Sequence, residues 1–233
     1  MRLLALSRTE SLALLGIGVW VVGAGFAGRA GIWSSMGGAA VLVAAAALAF
    51  DRDVRRLLPP PRLAALAWGC LAGVAMAAAT ILLYPIVAQA FVRIVRDTAD
   101  LYTAFGHLPR AGAALLLVPI VIGEEVIWRG LVQGAIAGRI RRAERQAQQE
   151  AQPIQARSKR QPTPRVALAL AVLPAAALYA LAMAPTGSPV LVLAAFAGGI
   201  VWGAVRAHTG DLVAPITAHL LWNAIVLFLR PLV

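Results

Sequence analysis

The chain has 233 residues, 61% of them hydrophobic and 13% charged, with a mean hydropathy of +0.79 and a formal net charge of +11. A soluble domain is about half apolar and about a quarter charged, so the composition excludes an ordinary water-soluble globule and points to one polytopic membrane domain. The single cysteine, Cys70, excludes a disulfide framework and a cysteine zinc site, and the basic balance reads as membrane orientation rather than nucleic-acid binding.

A helix rising about 1.5 Å per residue needs roughly 20 apolar residues to cross the hydrocarbon core. Taken in chain order, the stretches that qualify or nearly so are 11–28, 32–50, 64–91, 111–137, 166–184, 190–206 and 212–229. The expected fold is therefore an all-α polytopic bundle of about seven spans. The first stretch lacks a plausible cleavage site after it and reads as a retained helix rather than a signal peptide. The third is long for one span and carries Pro85, so a kink or tilt is expected there. Residues 92–110 are mixed in polarity and read as an interfacial helix. The chain divides into 1–110, the N-terminal spans and this interfacial segment, and 111–233, the chemically distinctive core. That core is interrupted by a basic, Gln-rich segment at 139–165, in which Pro153, Pro162 and Pro164 limit any helix. Its plain reading is a solvated cytoplasmic loop, and attraction to anionic lipid or to an acidic partner is the sharper one. Glycines at four-residue spacing, Gly130/Gly134/Gly138 and Gly199/Gly203, allow close helix approach.

Charge then sets the orientation. With a cytoplasmic N-terminus, fifteen Arg and Lys fall inside and five outside, with Arg129 left in the membrane. The fifteen include Arg2, Arg157, Lys159, Arg160 and Arg206. N-in and C-out follows, and the Arg-rich composition, with Lys159 alone, suggests a GC-rich bacterial genome and hence a bacterial inner membrane.

The chemistry sits within the fourth and last stretches. An ionisable group in mid-bilayer costs at least about 2.5–3.5 kcal/mol, so it normally faces the bundle interior and a partner. Glu124 and Glu125 stand midway along 111–137 in "GEEVIWRG". Arg129 lies four residues after Glu125, on the same helix face, whereas Glu124 points about 100° away. Glu125 and Arg129 are thus expected to neutralise each other, leaving the Glu124 carboxylate for other work. A purely structural charge triad explains the same residues. In "TAHLLWNA", His219 and Asn223 also share a face, and both can donate hydrogen bonds. A carboxylate to polarise water and a donor pair to stabilise an oxyanion are the parts of a hydrolytic site.

Glu-Glu-x-x-x-Arg followed about ninety residues later by His-x-x-x-Asn resembles the CPBP group of CAAX-protease and bacteriocin-processing intramembrane endopeptidases, also called the Abi family. "HTGDLVAPITAHLLWN" is similar to the last region of that family. The resemblance spans roughly residues 111–229. It implies a glutamic intramembrane peptidase of the type II CAAX prenyl endopeptidase kind, with Glu124 activating water and His219 and Asn223 forming an oxyanion hole. The family's middle motif, Phe-x-x-x-His, supplies a histidine that helps the glutamate. Here Tyr179 stands for the Phe and Met183 for the His. Methionine offers a weak acceptor and no proton relay, and Tyr179 is a poor base. His107 and His208 read as surface histidines outside the site.

Two function classes therefore stand side by side. One is a peptidase acting on a peptide or membrane-protein substrate, its lipidation open. The other is a pseudoprotease that keeps the cavity and escorts a membrane partner, which Met183 favours. Transport through Glu124 ranks third, because no internal repeat or broken-helix pair accompanies it. Three histidines and one cysteine give no basis for a metal, and no cofactor is expected. The oligomeric state is open.

Overall fold

The computed structural model describes residues 6–151 and 164–233, and each of the apolar stretches above is helical in it. In chain order the helices are α1 (Arg8–Ala30), α2 (Ile32–Phe50), α3 (Arg52–Arg56), α4 (Leu63–Ala90), α5 (Val92–Phe105) and α6 (Arg110–Glu125). A π-helical segment, Val126–Val132, then leads directly into α7 (Gln133–Ala151). There follow α8 (Pro164–Leu170), α9 (Val172–Met183), α10 (Pro189–Thr209) and α11 (Val213–Ala224), which ends in a second π-helical segment, Ile225–Leu229. No strand occurs among the described residues. The chain is an all-α, polytopic integral membrane protein.

Five helices are long and apolar enough to span a bilayer, and the pair α8 and α9 makes a sixth when taken as one bent span. The bend is 41° and has a covalent cause. Pro174 has no N–H for the Leu170 carbonyl four residues back, and its ring crowds that carbonyl. The expected seventh span, Val213–Leu229, is helical but shorter than the rest. By contrast, α4 runs unbroken through Pro85.

The segment expected to be a loop from residue 139 is a correction. The fourth span continues as helix to Ala151, because "RIRRAERQAQQEA" consists mainly of strong helix formers. Tertiary contacts hold this extension. Arg139 and Arg142 both bind the Glu10 carboxylate, Arg142 at 2.8 Å, and Glu10 closes a capping box with Ser7 at the start of α1. Arg2, Arg157, Lys159, Arg160, Pro153 and Pro162 lie outside the described residues.

The segment read as interfacial forms α5, tied down at two points along its length. Asp97 accepts from the Ser188 hydroxyl and the Val190 N–H, both at 2.8 Å, at the start of α10. The Tyr102 hydroxyl donates to the Val226 carbonyl at the end of α11.

Small residues set how the helices meet around the site. A Cβ on Gly69 would lie 2.6 Å from the Ala214 carbonyl oxygen, and one on Gly73 would lie 2.7 Å from that of Ala218. α4 and α11 are therefore in backbone contact next to His219. Gly123 meets the Ala40 backbone in the same way, and Gly199 meets Ala176. Gly130, Gly134 and Gly138 face side chains at ordinary distance, so the tight approaches lie mostly elsewhere. We predict that Gly69→Ala and Gly73→Ala each destabilise the bundle by about 1–3 kcal/mol. Gly18→Ala, inside α1 and meeting nothing within 4 Å, should keep or raise the thermal midpoint in detergent; a Gly73→Ala protein as stable as wild type would contradict this packing.

Candidate active site

Glu124 and Glu125 are the last two residues of α6, immediately before the π-helical segment. There the Gln133 N–H bonds to the Trp128 carbonyl five residues back. Such insertions widen the helix locally and recur at functional sites. Across the start of this segment Arg129 Nε lies 3.3 Å from Glu125 Oε2, an i,i+4 ion pair. Both side chains are at most 2% exposed. The Arg129 guanidinium also sits over the Tyr179 ring, 5.1 Å from its centroid, a favourable cation–π arrangement.

Glu125 has a second partner that the spacing does not reveal. Its Oε1 lies 2.8 Å from His219 Nδ1. The expected Glu125–Arg129 pair is thus the first part of a longer chain, Arg129–Glu125–His219, joining the fourth span to α11. A carboxylate flanked by a guanidinium accepts, so in a neutral imidazole the hydrogen belongs on Nδ1, and Nε2 faces the other way. The ring is further fixed by Trp202 of α10, stacked with centroids 5.4 Å apart and an interplanar angle of 23°.

Nε2 of His219 faces Glu124, whose Oε2 is 3.6 Å away. That distance exceeds a good hydrogen bond and is too short for a water on the line between the two atoms. A water contacting both would sit to one side. Glu124 is buried but not isolated, since the Tyr179 hydroxyl donates to the same Oε2 at 3.1 Å. Tyr179 and Met183 are one turn apart on α9 and both buried in the main core, with Trp20 and Trp128. The Tyr179 and Trp128 rings lie 4.6 Å apart. Asn223, one turn beyond His219, is half-buried, and among the described residues its side chain makes no hydrogen bond.

The structure thus brings together Glu124, Glu125, Arg129, Tyr179 and His219, with Asn223 one turn along α11. His107 and His208 do not join them. His107 is exposed, and His208 packs on Trp68 with centroids 4.6 Å apart.

Two contributors escaped the sequence reading. Trp202 looked like one more apolar residue, and only the pairing of α10 with α11 shows that it positions the histidine. Arg206 was counted as a cytoplasmic charge, but it lies in the last turn of α10 and is 4% exposed. Its guanidinium rests against α7, where a Cβ on Gly134 would be 3.6 Å from Nη2. Its Nε and Nη1 are buried without a hydrogen-bond partner among the described residues. The buried constellation itself comprises Glu124, Glu125, Arg129, Tyr179 and His219. The available signal was its place at the inner end of an apolar run, just before the Thr-Gly turn.

Removing one partner of a buried ion pair costs about 3–5 kcal/mol, because the other charge is left without compensation. Arg129→Met should therefore destabilise the protein by about that much, and adding Glu125→Gln should recover part of the loss. A double variant as unstable as the sum of its singles, in thermal unfolding, would show that the pair is not coupled.

Among known proteins, a family model described as type II CAAX prenyl endopeptidase Rce1-like matches residues 106–225, more than half of the chain. Neither the curated proteins nor the solved structures provide a significant match. The matched region holds every residue of the buried constellation and Asn223. The chain belongs to the Rce1-like family of type II CAAX prenyl endopeptidases.

Proposed function

We propose that the protein is an intramembrane peptidase that hydrolyses a peptide bond with water held beside Glu124. The observation that carries the reading is the pair of opposed atoms, Glu124 Oε2 and His219 Nε2, 3.6 Å apart, with His219 anchored from behind by Glu125. In the neutral tautomer favoured by that anchor, Nε2 bears a lone pair. A water beside both groups can pass its proton to Glu124 or Nε2 as its oxygen attacks the carbonyl carbon. The same proton then goes to the departing amide nitrogen. Asn223, whose amide has no other acceptor among the described residues, is the donor available to the developing oxyanion. The Tyr179 hydroxyl holds the Glu124 carboxylate in place.

This differs in one respect from the division of labour implied by the family resemblance. There His219 and Asn223 both serve the oxyanion, and the histidine missing at Met183 helps the glutamate. Here the Glu125 contact suits His219 to the proton-handling role. The burial of Met183 among apolar side chains favours a second reading, a pseudoprotease that binds a membrane-embedded partner without cleaving it. The positive-inside charge bias supports an N-in, C-out orientation, and the composition supports a bacterial inner membrane. The substrate is a peptide or the exposed end of a membrane protein.

Glu124→Gln should lower peptide hydrolysis by about 10²–10⁴ without changing thermal unfolding, assayed with fluorogenic peptides on protein reconstituted in vesicles. Tyr179→Phe removes one hydrogen bond, worth about 0.5–1.5 kcal/mol, and should cost only about two- to tenfold. Equal turnover by the Gln variant would overturn the assignment. A silent wild type that becomes proteolytic as Met183→His would establish the pseudoprotease reading instead.

A further inference from the structure

The ends of α1, α2 and α3 meet at a groove of about 490 Å³ lined by Arg8, Ser11, Leu12, Ala49, Phe50, Arg52 and Arg55. Three of these residues are arginines and none is acidic. The nearby carboxylates are all engaged elsewhere. Asp51 caps α3 through the Asp53 and Val54 N–H groups and accepts from the Thr9 hydroxyl at 2.6 Å. Asp53 pairs with Arg56, and Glu10 is held by Arg139 and Arg142. Arg8 donates to the Phe50 carbonyl at 3.0 Å, which fixes its stem across the groove. Among the described residues, Arg52 and Arg55 have no side-chain hydrogen bond or ion pair, and both are exposed. Asp51, whose partners are all neutral donors, keeps its charge and offsets at most one of the three arginines, so the groove retains a net positive charge.

Its position decides what could neutralise that charge. α1 and α2 are both long and apolar enough to span the bilayer, and this groove lies at one end of each. Its apolar wall continues onto the outer surface of those helices, where Leu14, Leu15, Leu42 and Phe50 are all more than half exposed. A ligand filling the groove would meet guanidinium and hydroxyl donors at its head and hydrocarbon along its tail. Arginine suits phosphate because its planar fork engages two oxygens at once, and basic pockets at span ends bind anionic headgroups.

We propose that this groove binds the phosphate headgroup of an anionic phospholipid, with Arg8, Arg52 and Arg55 on the phosphate oxygens, Ser11 as a further donor, and Leu12 and Phe50 against the first acyl carbons. The site is separate from the Glu124 constellation, so it stands whether or not the peptidase reading does.

The test uses the full chain in nanodiscs of phosphatidylcholine, alone or doped with phosphatidylglycerol. Retained lipid is read by native mass spectrometry and thermal unfolding is followed in parallel. Wild type should retain phosphatidylglycerol selectively and unfold at higher temperature in its presence. Arg52→Gln/Arg55→Gln should weaken retention by at least about tenfold, taking roughly fivefold for each surface arginine. Arg52→Lys/Arg55→Lys, which keeps the charge but loses the fork, should fall between. Arg93→Gln/Arg96→Gln, which removes two exposed charges on α5, should leave retention unchanged. Unchanged retention in the Arg52/Arg55 Gln variant would overturn the proposal, as would equal loss in the α5 control. Stabilisation by inorganic phosphate or glycerol phosphate in detergent, matching that by the lipid, would assign the groove to a free phosphate and overturn the lipid assignment.

Discussion

The bundle depends on one buried chain of charge, Arg129 to Glu125 to His219, at 3.3 and 2.8 Å. In hydrocarbon an unpaired carboxylate on the fourth span would be costly. One Glu125 oxygen hydrogen-bonds His219 on α11, and the other lies within ion-pair distance of Arg129 on its own span without a hydrogen bond of its own. The demand for a partner therefore fixes which faces of the fourth span and α11 meet. The backbone contacts of Gly69 and Gly73 with α11 press that helix against α4 and leave His219 little freedom. Stability and site geometry thus rest on the same contacts.

That chain also separates two carboxylates that are neighbours in sequence. Glu125 is wholly buried and committed to both a guanidinium and an imidazole. Glu124, turned about 100° around the helix, has as its polar partners among the described residues the Tyr179 hydroxyl and the far nitrogen of the same imidazole. The ring stands between the two glutamates. In the proposed peptidase, this makes one glutamate the support and the other the reacting group. It also offers a route around Met183, since a histidine held by Glu125 already faces Glu124 from α11.

Much of this was legible in the sequence because lipid imposes simple rules. Apolar stretches became helices, and the Glu125–Arg129 spacing became an ion pair, since both follow from local geometry. The Glu125–His219 contact was not legible, because it joins residues 94 positions apart and nothing local specifies which helix faces which. The bent span could have been read from Pro174, whose missing N–H breaks the helix four residues upstream. The continuation of α7 beyond residue 138 was masked by its charge, which resembles a solvated loop until Glu10 is placed beside Arg139 and Arg142. Arg206 was misplaced for a related reason. A charge at the end of an apolar run normally reaches water, whereas this one is buried against α7 beside Gly134.

The proposed chemistry requires that Glu125 hold the Nδ1–H of His219 and leave Nε2 bare toward Glu124. Nitrogen-15 NMR of histidine-labelled protein in micelles, with His219 assigned by comparison with His219→Asn, measures this directly. At a pH where the imidazole is neutral, Nδ1 should be protonated and Nε2 unprotonated, with that preference lost in Glu125→Gln. A ring protonated on Nε2, or one indifferent to Glu125→Gln, would contradict it.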